Sequence, residues 1–186
     1  MRLARKLAES AGIRTYSSPA LNGLDEKLAA RLPKHGFFFE AGAHDGYTQS
    51  NTYRLERWEG WRGILVEPIP ELAKQCRRER KNSRVFCCAL AAPNIETLTM
   101  RFAGLMSAAE GTPKLRENLE ETLKTQGIKN SYLIQTPART INSILGECGY
   151  PEITFMSLDL EGHEAAALHG MEKSLTKPEF ILVETN

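Results

Sequence analysis

The chain has 186 residues, a length typical of one domain that buries enough surface to fold without disulfide or metal staples. Hydrophobic residues make up 41% and charged residues 25%, which excludes disordered, collagenous and coiled-coil proteins. The 24 basic and 23 acidic residues leave a formal net charge of +1. This balance gives no electrostatic footprint for nucleic acid or a membrane surface, so we predict neither as a partner.

The four cysteines indicate a reducing compartment. None has C-x-x-C spacing, and Cys87 and Cys88 are adjacent within an apolar run. Buried thiols are typical of cytosolic proteins, and this spacing favours neither a zinc site nor a disulfide framework. The first residues are basic but lack the apolar stretch of a secretory signal. We therefore predict a cytoplasmic location.

Residues 1–35 are predicted to form an N-terminal helical segment. A short charged helix comes first, a loop follows over Thr15–Gly23, and a second helix spans Leu24–Leu32. The leucines of this second helix recur every fourth residue and form a stripe that faces the core. Pro33 and Gly36 end it.

From residue 36 onward, short apolar runs alternate with helical patterns. Apolar runs without polar alternation are typical of strands buried on both faces of a parallel sheet. The predicted strands are Phe37–Phe39, Gly63–Val66, Val85–Cys88, Ile153–Leu158 and Phe180–Val183. The predicted helices are Tyr47–Arg57, Pro70–Lys81, Thr140–Leu145 and Glu164–Leu175. Strand and helix in alternation predict an α/β fold with a doubly wound, mostly parallel sheet over residues 36–186.

Three segments need separate interpretations. Thr97–Phe102 alternates like an extra strand or hairpin arm. Thr112–Gly127 has the caps of a helix, which could be a lid over an active site or pack outside the sheet. The basic run from Arg77 to Arg84 is predicted to be a solvated helix face, with contact to a phosphate-bearing substrate as the alternative.

Residues that follow the strands are candidates for the site, because ligands of such sheets bind at the carboxyl ends of the strands. Two glycines in the segment Glu40–Gly46 would let the backbone approach a ligand closely. Glu67 follows the second strand, and a carboxylate there can accept hydrogen bonds from a ribose diol. Cys88 and Ala89 follow the third strand and suit one face of a flat ring.

The spacing of the glycines limits the class of ligand that the first turn can bind. A nicotinamide dinucleotide needs G-x-G-x-x-G, whereas the glycines here are spaced G-x-x-x-G. A dehydrogenase is therefore disfavoured, and the missing G-K-[ST] excludes a P-loop. A nucleoside ligand without a diphosphate fits the first turn better.

The motifs in their order resemble one family. EAGAHDGYTQSNTYRLERWEGWRGILVEPIP is similar to the core of FkbM-type S-adenosylmethionine-dependent methyltransferases, and PARTINSIL, ITFMSLDLEGHEAAALHG and FILVETN follow as in that family. The resemblance runs from Gly36 to the last residue and is weakest over Ala91–Gln135. It implies a class I, Rossmann-like methyltransferase fold with S-adenosylmethionine as the methyl donor.

The resemblance also implies roles for individual residues. Carried over position by position, the donor-binding residues are Glu40, Gly42, Ala43 and Gly46 at the methionine end, Glu67 at the ribose, Cys88 and Ala89 at the adenine, and Asp159 near the sulfonium. Ser50 and Asn51 are further candidates, for donor contacts or for structural ones.

We predict methyl transfer to a hydroxyl of a sugar or another small natural product. A hydroxyl acceptor has to lose its proton, so a general base helps. His163 is the first candidate because imidazole titrates near neutral pH, and Asp159 and Glu161 are alternatives. The competing interpretations are local hydrogen bonding by His163 and stabilisation of a helix N-terminus by Glu161 and Glu164.

A metal ion is an alternative for the same segment. The side chains of Asp159, Glu161, His163 and Glu164 would tolerate Mg²⁺ or Mn²⁺. So compact a cluster cannot readily aim every side chain at one ion, and we predict no metal site.

The sequence predicts fewer strands than the fold that the resemblance implies. Class I sheets normally continue with a sixth strand and an antiparallel seventh, whereas this chain stops after FILVETN. We expect a truncated domain or a homo-oligomer that covers the exposed edge. Glu184 and Asn186, which end the fifth strand, could then touch the acceptor. The alternative function is a catalytically idle domain retained for binding or assembly.

Overall fold

The computed structural model describes residues 2–110, 120–121, 123–125, 127–128, 131–171 and 174–184. Its elements, in chain order, are α1 (Arg2–Ser10), α2 (Leu24–Ala29), β1 (Phe37–Ala41), α3 (Tyr53–Trp58), β2 (Arg62–Val66), α4 (Pro70–Glu79), β3 (Ser83–Phe86), β4 (Ala89–Leu90), β5 (Thr97–Phe102), β6 (Ala108–Ala109), β7 (Tyr132–Arg139), α5 (Ile141–Glu147), β8 (Phe155–Leu158), α6 (Glu164–His169) and β9 (Phe180–Val183). None of the helices in these described parts is long and apolar enough to cross a membrane.

The main sheet has five parallel strands in the order β3-β2-β1-β8-β9. The chain adds β2 and β3 on one side of β1, then returns to add β8 and β9 on the other. The order therefore reverses between β1 and β8, where ligands bind in sheets of this kind. This arrangement confirms the predicted α/β fold with a parallel sheet.

The central strands are apolar throughout because both of their faces are covered. Phe38 is fully buried and packs with Trp61 and Leu65 on one face of the sheet. Its neighbour Phe39 is also fully buried and packs with Ile64 on the other face. Successive side chains of a strand point to opposite faces, so each face receives its own aromatic ring.

A second sheet corrects the prediction of a single doubly wound sheet. It has four strands in the order β4-β7-β5-β6, with β5 antiparallel to both β6 and β7 and β4 parallel to β7. The predicted strand Thr97–Phe102 is confirmed as β5. Its main partner, β7, was missed because Pro137 lies within it, and proline is normally confined to edge strands or bulges.

Several predicted boundaries were wrong by two to six residues. One of the two largest errors concerns Tyr47–Arg57, in which the helix begins only at Tyr53 because the preceding residues form turns around Glu40. The helices predicted to end at 32, 81 and 175 end at Ala29, Glu79 and His169, and α5 runs on to Glu147. Strand β3 stops at Phe86 because the chain leaves for the second sheet at Ala89. Most of the predicted helix Thr112–Gly127 lies outside the described residues. Asn186 also lies outside them.

The N-terminal segment is fastened to the sheet domain by polar contacts. Glu9 in α1 is buried and accepts hydrogen bonds from Tyr53 Oη at 3.0 Å and Arg57 Nε at 3.2 Å. Tyr47 Oη donates to the carbonyl of Tyr16 at 2.7 Å, so the loop between α1 and α2 is held as well.

Candidate functional site

A cleft lies where the strands of the main sheet end. The sheet order places the residues that follow the strands in one row: Ala89 after β3, Glu67 after β2, Gly42 after β1 and Asp159 after β8. Neighbouring strands are about 4.8 Å apart, so this row spans about 14 Å. The cleft has an enclosed volume of about 70 Å³ and is partly open to solvent.

The two ends of the cleft differ in chemistry. The end towards β3 is apolar, because Leu72 and Ala89 pack with Met100 from the second sheet. Thr136 Oγ1 donates to the carbonyl of Pro68 at 3.0 Å, which ties the second sheet to the turn after β2. The end towards β8 is polar and contains the side chains of His44, Thr48, Gln49, Asp159, Glu161 and His163.

Glu67 lies in the middle of this row and is only 4% exposed. Its two carboxylate oxygens accept hydrogen bonds from the backbone N–H groups of His44 at 2.8 Å and Ile69 at 2.9 Å. Burial raises the pKa of Glu67 to about 7, although these two donors and the nearby His44 act in the opposite direction. Because a carboxylate oxygen can accept two hydrogen bonds, each oxygen keeps capacity for one more donor.

Gly42 is required by the close approach of two strand ends. Its φ is +81°, and a Cβ atom at this position would lie 2.0 Å from the carbonyl oxygen of Asp159. A side chain would therefore push β1 and β8 apart at the point where the sheet order reverses. Gly42 also lines the cleft, and its contact with a ligand stays a prediction.

Three residues of the cleft other than glycine have a left-handed backbone. His44, Gln49 and Glu161 have φ values of 49°, 58° and 55°, and all three line the cleft. Such conformations are costly for residues with a Cβ atom and tend to cluster at functional sites.

His163 faces the cleft from the loop before α6. Its Nε2 atom is buried and has no hydrogen-bond partner within the described parts of the protein. Burial lowers the pKa of the imidazole, and the carboxylate of Glu164 opposes this shift only in part. The ring is therefore mostly neutral at pH 7 and able to accept a proton.

The carboxylates after β8 separate into two groups. Asp159, Glu161 and Glu184 bring one oxygen each to within 4.8 Å of one another. Glu164 belongs to a different arrangement, because it accepts hydrogen bonds from the backbone N–H groups of Leu160 at 2.8 Å and Gly162 at 3.3 Å. This supports a local structural role for Glu164, and the four-residue metal cluster considered from the sequence does not form.

Four predicted donor-binding residues lie behind the cleft instead of lining it: Glu40, Ala43, Gly46 and Ser50. Glu40 is buried and accepts hydrogen bonds from Ser50 Oγ at 3.0 Å and Thr52 Oγ1 at 2.7 Å. Ala43 packs in the core, and a Cβ atom at Gly46 would lie 2.9 Å from the side chain of Arg80. These residues shape the loop after β1 from its inner side.

Arg80 organises this inner cluster, and the prediction of a solvated basic face was wrong for it. Its guanidinium is 1% exposed and forms ion pairs with Glu56 at 2.8 Å and Glu40 at 3.3 Å. It also donates to Thr52 Oγ1 at 2.7 Å and to the carbonyl of Gly46 at 3.3 Å. The sequence contained a signal for this: Leu72 and Cys76 lie four residues apart on the buried face of α4, and Arg80, one residue beyond the end of α4, continues this spacing.

Comparison with known proteins identifies the family of the chain. A family model described as "Methyltransferase FkbM domain" matches residues 40–186. A solved structure, the methyltransferase FkbM from Methylobacillus flagellatus KT, is 17% identical and has a TM-score of 0.44, a likeness too distant to support an argument. The match covers 83% of this chain and 33% of that one, so this chain spans about a third of the solved protein. No curated protein matches.

The family model covers most of the chain, and the strand ends that form the cleft lie within its range. The resemblance inferred from the sequence motifs is confirmed, and the chain belongs to the FkbM methyltransferase family.

Proposed function

We propose that the chain binds S-adenosylmethionine in the cleft and methylates a hydroxyl of a sugar or another small natural product. The observation that supports this most strongly is the carboxylate of Glu67, which is buried, fixed by two backbone donors and still able to accept two more hydrogen bonds. A ribose diol offers two hydroxyl donors of the kind that this carboxylate needs.

Different residues of the row would contact different parts of the donor. Cys88 and Ala89 belong to the apolar end and would lie against the adenine, next to the ribose on Glu67. Gly42 and Asp159 belong to the polar end and would take the amino-acid tail and the sulfonium. The negative charge of Asp159 suits a cationic group.

Glu40, Ala43, Gly46 and Ser50 would contribute without touching the donor. They hold the loop that follows β1, in which His44 donates its backbone N–H to Glu67. We assign them a positioning role in place of the direct contacts that the family resemblance implied.

When bound, the donor supplies an electrophilic methyl group, whose transfer to a hydroxyl yields a methyl ether, S-adenosylhomocysteine and a proton. His163 would accept that proton, because it lines the cleft, its ring is mostly neutral, and its Nε2 atom has no hydrogen-bond partner within the described parts of the chain. Asp159 and Glu161 are the alternative bases, since both line the same end.

Calorimetry with S-adenosylhomocysteine tests the proposal directly. We expect the wild-type chain to bind it with one site per chain. An absence of binding would contradict the proposal and favour the idle-domain alternative.

Substitution of His163 by alanine tests the base. We expect turnover to fall about 10²- to 10⁴-fold in a form that methylates an acceptor, with the affinity for S-adenosylhomocysteine unchanged. Unchanged turnover would remove His163 from the mechanism and leave Asp159 or Glu161 as the base.

Two further predictions remain untested. Strand β9 is a sheet edge on which Phe180 is 44% and Ile181 50% exposed, as expected if a second copy of the chain covers it. The cytoplasmic location likewise stays a prediction.

A further inference from the structure

A second cavity adjoins the cleft at the ends of β8 and β9. It has an enclosed volume of about 150 Å³, and Gln49 and Asp159 line both spaces. A molecule in the second cavity would therefore meet a molecule in the cleft at these two residues. Gln49 and Asp159 belong to the polar end of the cleft, where the proposed function places the methyl group.

The walls of this cavity are mainly apolar, with a smaller set of polar groups. The apolar part consists of Leu21, Leu24, Leu158, Leu182 and Val183. The polar groups include Asn51 and Ser157, which are fixed to each other by a hydrogen bond of 3.1 Å from Asn51 Nδ2 to Ser157 Oγ. Asp159 and Glu184 add two carboxylates.

Part of the wall comes from outside the region that the family model matches. Leu21 and Leu24 belong to the N-terminal segment, whereas the match begins at residue 40. Arg54 in α3 donates to Ser18 Oγ at 3.0 Å and so holds the loop that carries Leu21. Leu21 is nevertheless 57% exposed, a large apolar side chain at the rim of the cavity.

We propose that this second cavity holds the methyl acceptor, and that it selects an uncharged compound with one apolar face and several hydroxyls, as a pyranoside has. The leucines would cover the apolar face, and Asp159 and Glu184 would accept hydrogen bonds from hydroxyls. The same carboxylates would repel an anionic acceptor. The inference rests on the proposed function, because the cavity gains this role only if the cleft binds the donor.

Methyl-labelled leucine and valine report on both spaces in one NMR experiment. We expect S-adenosylhomocysteine to shift the methyl signals of Leu72 and Leu98, which line the cleft. Addition of methyl glucoside or methyl rhamnoside to the loaded chain should then shift those of Leu21, Leu24 and Leu182. Glucuronate, the matched anion, should leave these signals in place.

Each outcome has one meaning. If S-adenosylhomocysteine shifts no cleft signal, the proposed function fails. If it shifts them but neither glycoside moves the signals of the second cavity, or glucuronate moves them equally, the inference about the acceptor is wrong while the donor site stands.

A pair of variants in the N-terminal segment completes the test. Leu21→Glu should weaken glycoside binding at least about fivefold, because an apolar contact is lost and negative charge is added. Leu7→Glu is the matched control, since Leu7 is 62% exposed in α1 and does not line the cavity. Both variants should bind S-adenosylhomocysteine like the wild type. Equal glycoside binding by the two variants would contradict a role for Leu21.

Discussion

Glu40 and Glu67 are equally buried near the ends of two central strands, but they differ in their hydrogen-bond and ion-pair partners. Each belongs to or follows a central strand, and each is 4% exposed. Glu40 receives an ion pair from Arg80 and hydroxyl donors from Ser50 and Thr52. The hydrogen bonds to Glu67, within the described parts of the chain, come from backbone N–H groups.

This difference separates a structural carboxylate from a binding one. The carboxylate of Glu40 already has a cation and two hydroxyl donors as partners inside the protein. A ligand could therefore contribute few further hydrogen bonds to it. Glu67 is buried without a bonded cation, and burial raises its pKa to about 7. A ligand that brings hydroxyl donors would stabilise its charged form, which is the usual condition for a binding residue.

The largest effect expected from this comparison is the loss of the cation. Arg80→Met leaves the carboxylates of Glu40 and Glu56 buried without their ion-pair partner. We expect the free energy of unfolding to fall by about 3–5 kcal/mol in urea titrations. Arg78→Met is the control, because Arg78 is exposed on the same helix and should change stability by less than about 0.5 kcal/mol. Equal stabilities of the two variants would contradict a central role of Arg80.

Glu67→Gln should act on binding more than on stability. The amide keeps the size of the side chain but loses the charge that strengthens hydrogen bonds from hydroxyls, and its NH2 group replaces one of the two acceptor oxygens that the backbone N–H groups of His44 and Ile69 use. We expect the affinity for S-adenosylhomocysteine to fall about 10- to 100-fold, or about 1.4–2.8 kcal/mol, by calorimetry. Glu164→Gln is the matched control, since Glu164 is also buried and accepts backbone hydrogen bonds. A similar loss in both variants would show that the effect comes from the fold.

The raised pKa of Glu67 predicts that donor binding depends on pH. Burial raises the pKa of Glu67 from the ordinary 4.5 to about 7 in the folded chain. The buried carboxylate therefore lowers the free energy of unfolding progressively as the pH rises from 4.5 to 7. Hydroxyl donors favour that ionised form, so binding of S-adenosylhomocysteine at pH 6 should release up to one proton. Affinity should rise by up to about fivefold from pH 6 to pH 7, and by about twofold more before it levels off above pH 8.

Calorimetry in buffers of different ionisation enthalpy measures this proton release. Other groups of the chain can also exchange protons when a ligand binds, so Glu67→Gln is needed as the reference. The release at pH 6 should disappear in that variant. Persistence of the release would assign it to another group.

The same comparison shows how far the sequence could predict the site. The position of Glu67 after a buried strand was sufficient to place it in the cleft, because the ends of parallel strands meet at one edge of the sheet. Glu40 also satisfied that rule, and what separates the two is Arg80, which lies 40 residues away in the chain. A long-range ion pair leaves no trace in local spacing, so the sequence could not distinguish the two carboxylates.

The fold shows the same division between local and distant information. The five apolar strands of the main sheet were predictable because burial on both faces leaves a local signal. The second sheet was not, because its main pair joins β5 to β7 across a segment of about 30 residues and Pro137 interrupts the pattern of β7. Leu21 and Glu184 face one cavity only through such distant packing.

The smallest effect concerns Ser50, which the family resemblance placed among the donor-binding residues. Its hydroxyl donates to Glu40 and accepts hydrogen bonds from Arg80 and from the backbone of Tyr53, all behind the cleft. We expect Ser50→Ala to lower the free energy of unfolding by about 1–2 kcal/mol, because buried partners lose a hydrogen bond. The affinity for S-adenosylhomocysteine should stay within about twofold of the wild type. A tenfold loss of affinity with unchanged stability would instead place Ser50 on the donor and move the boundary between the two carboxylate environments.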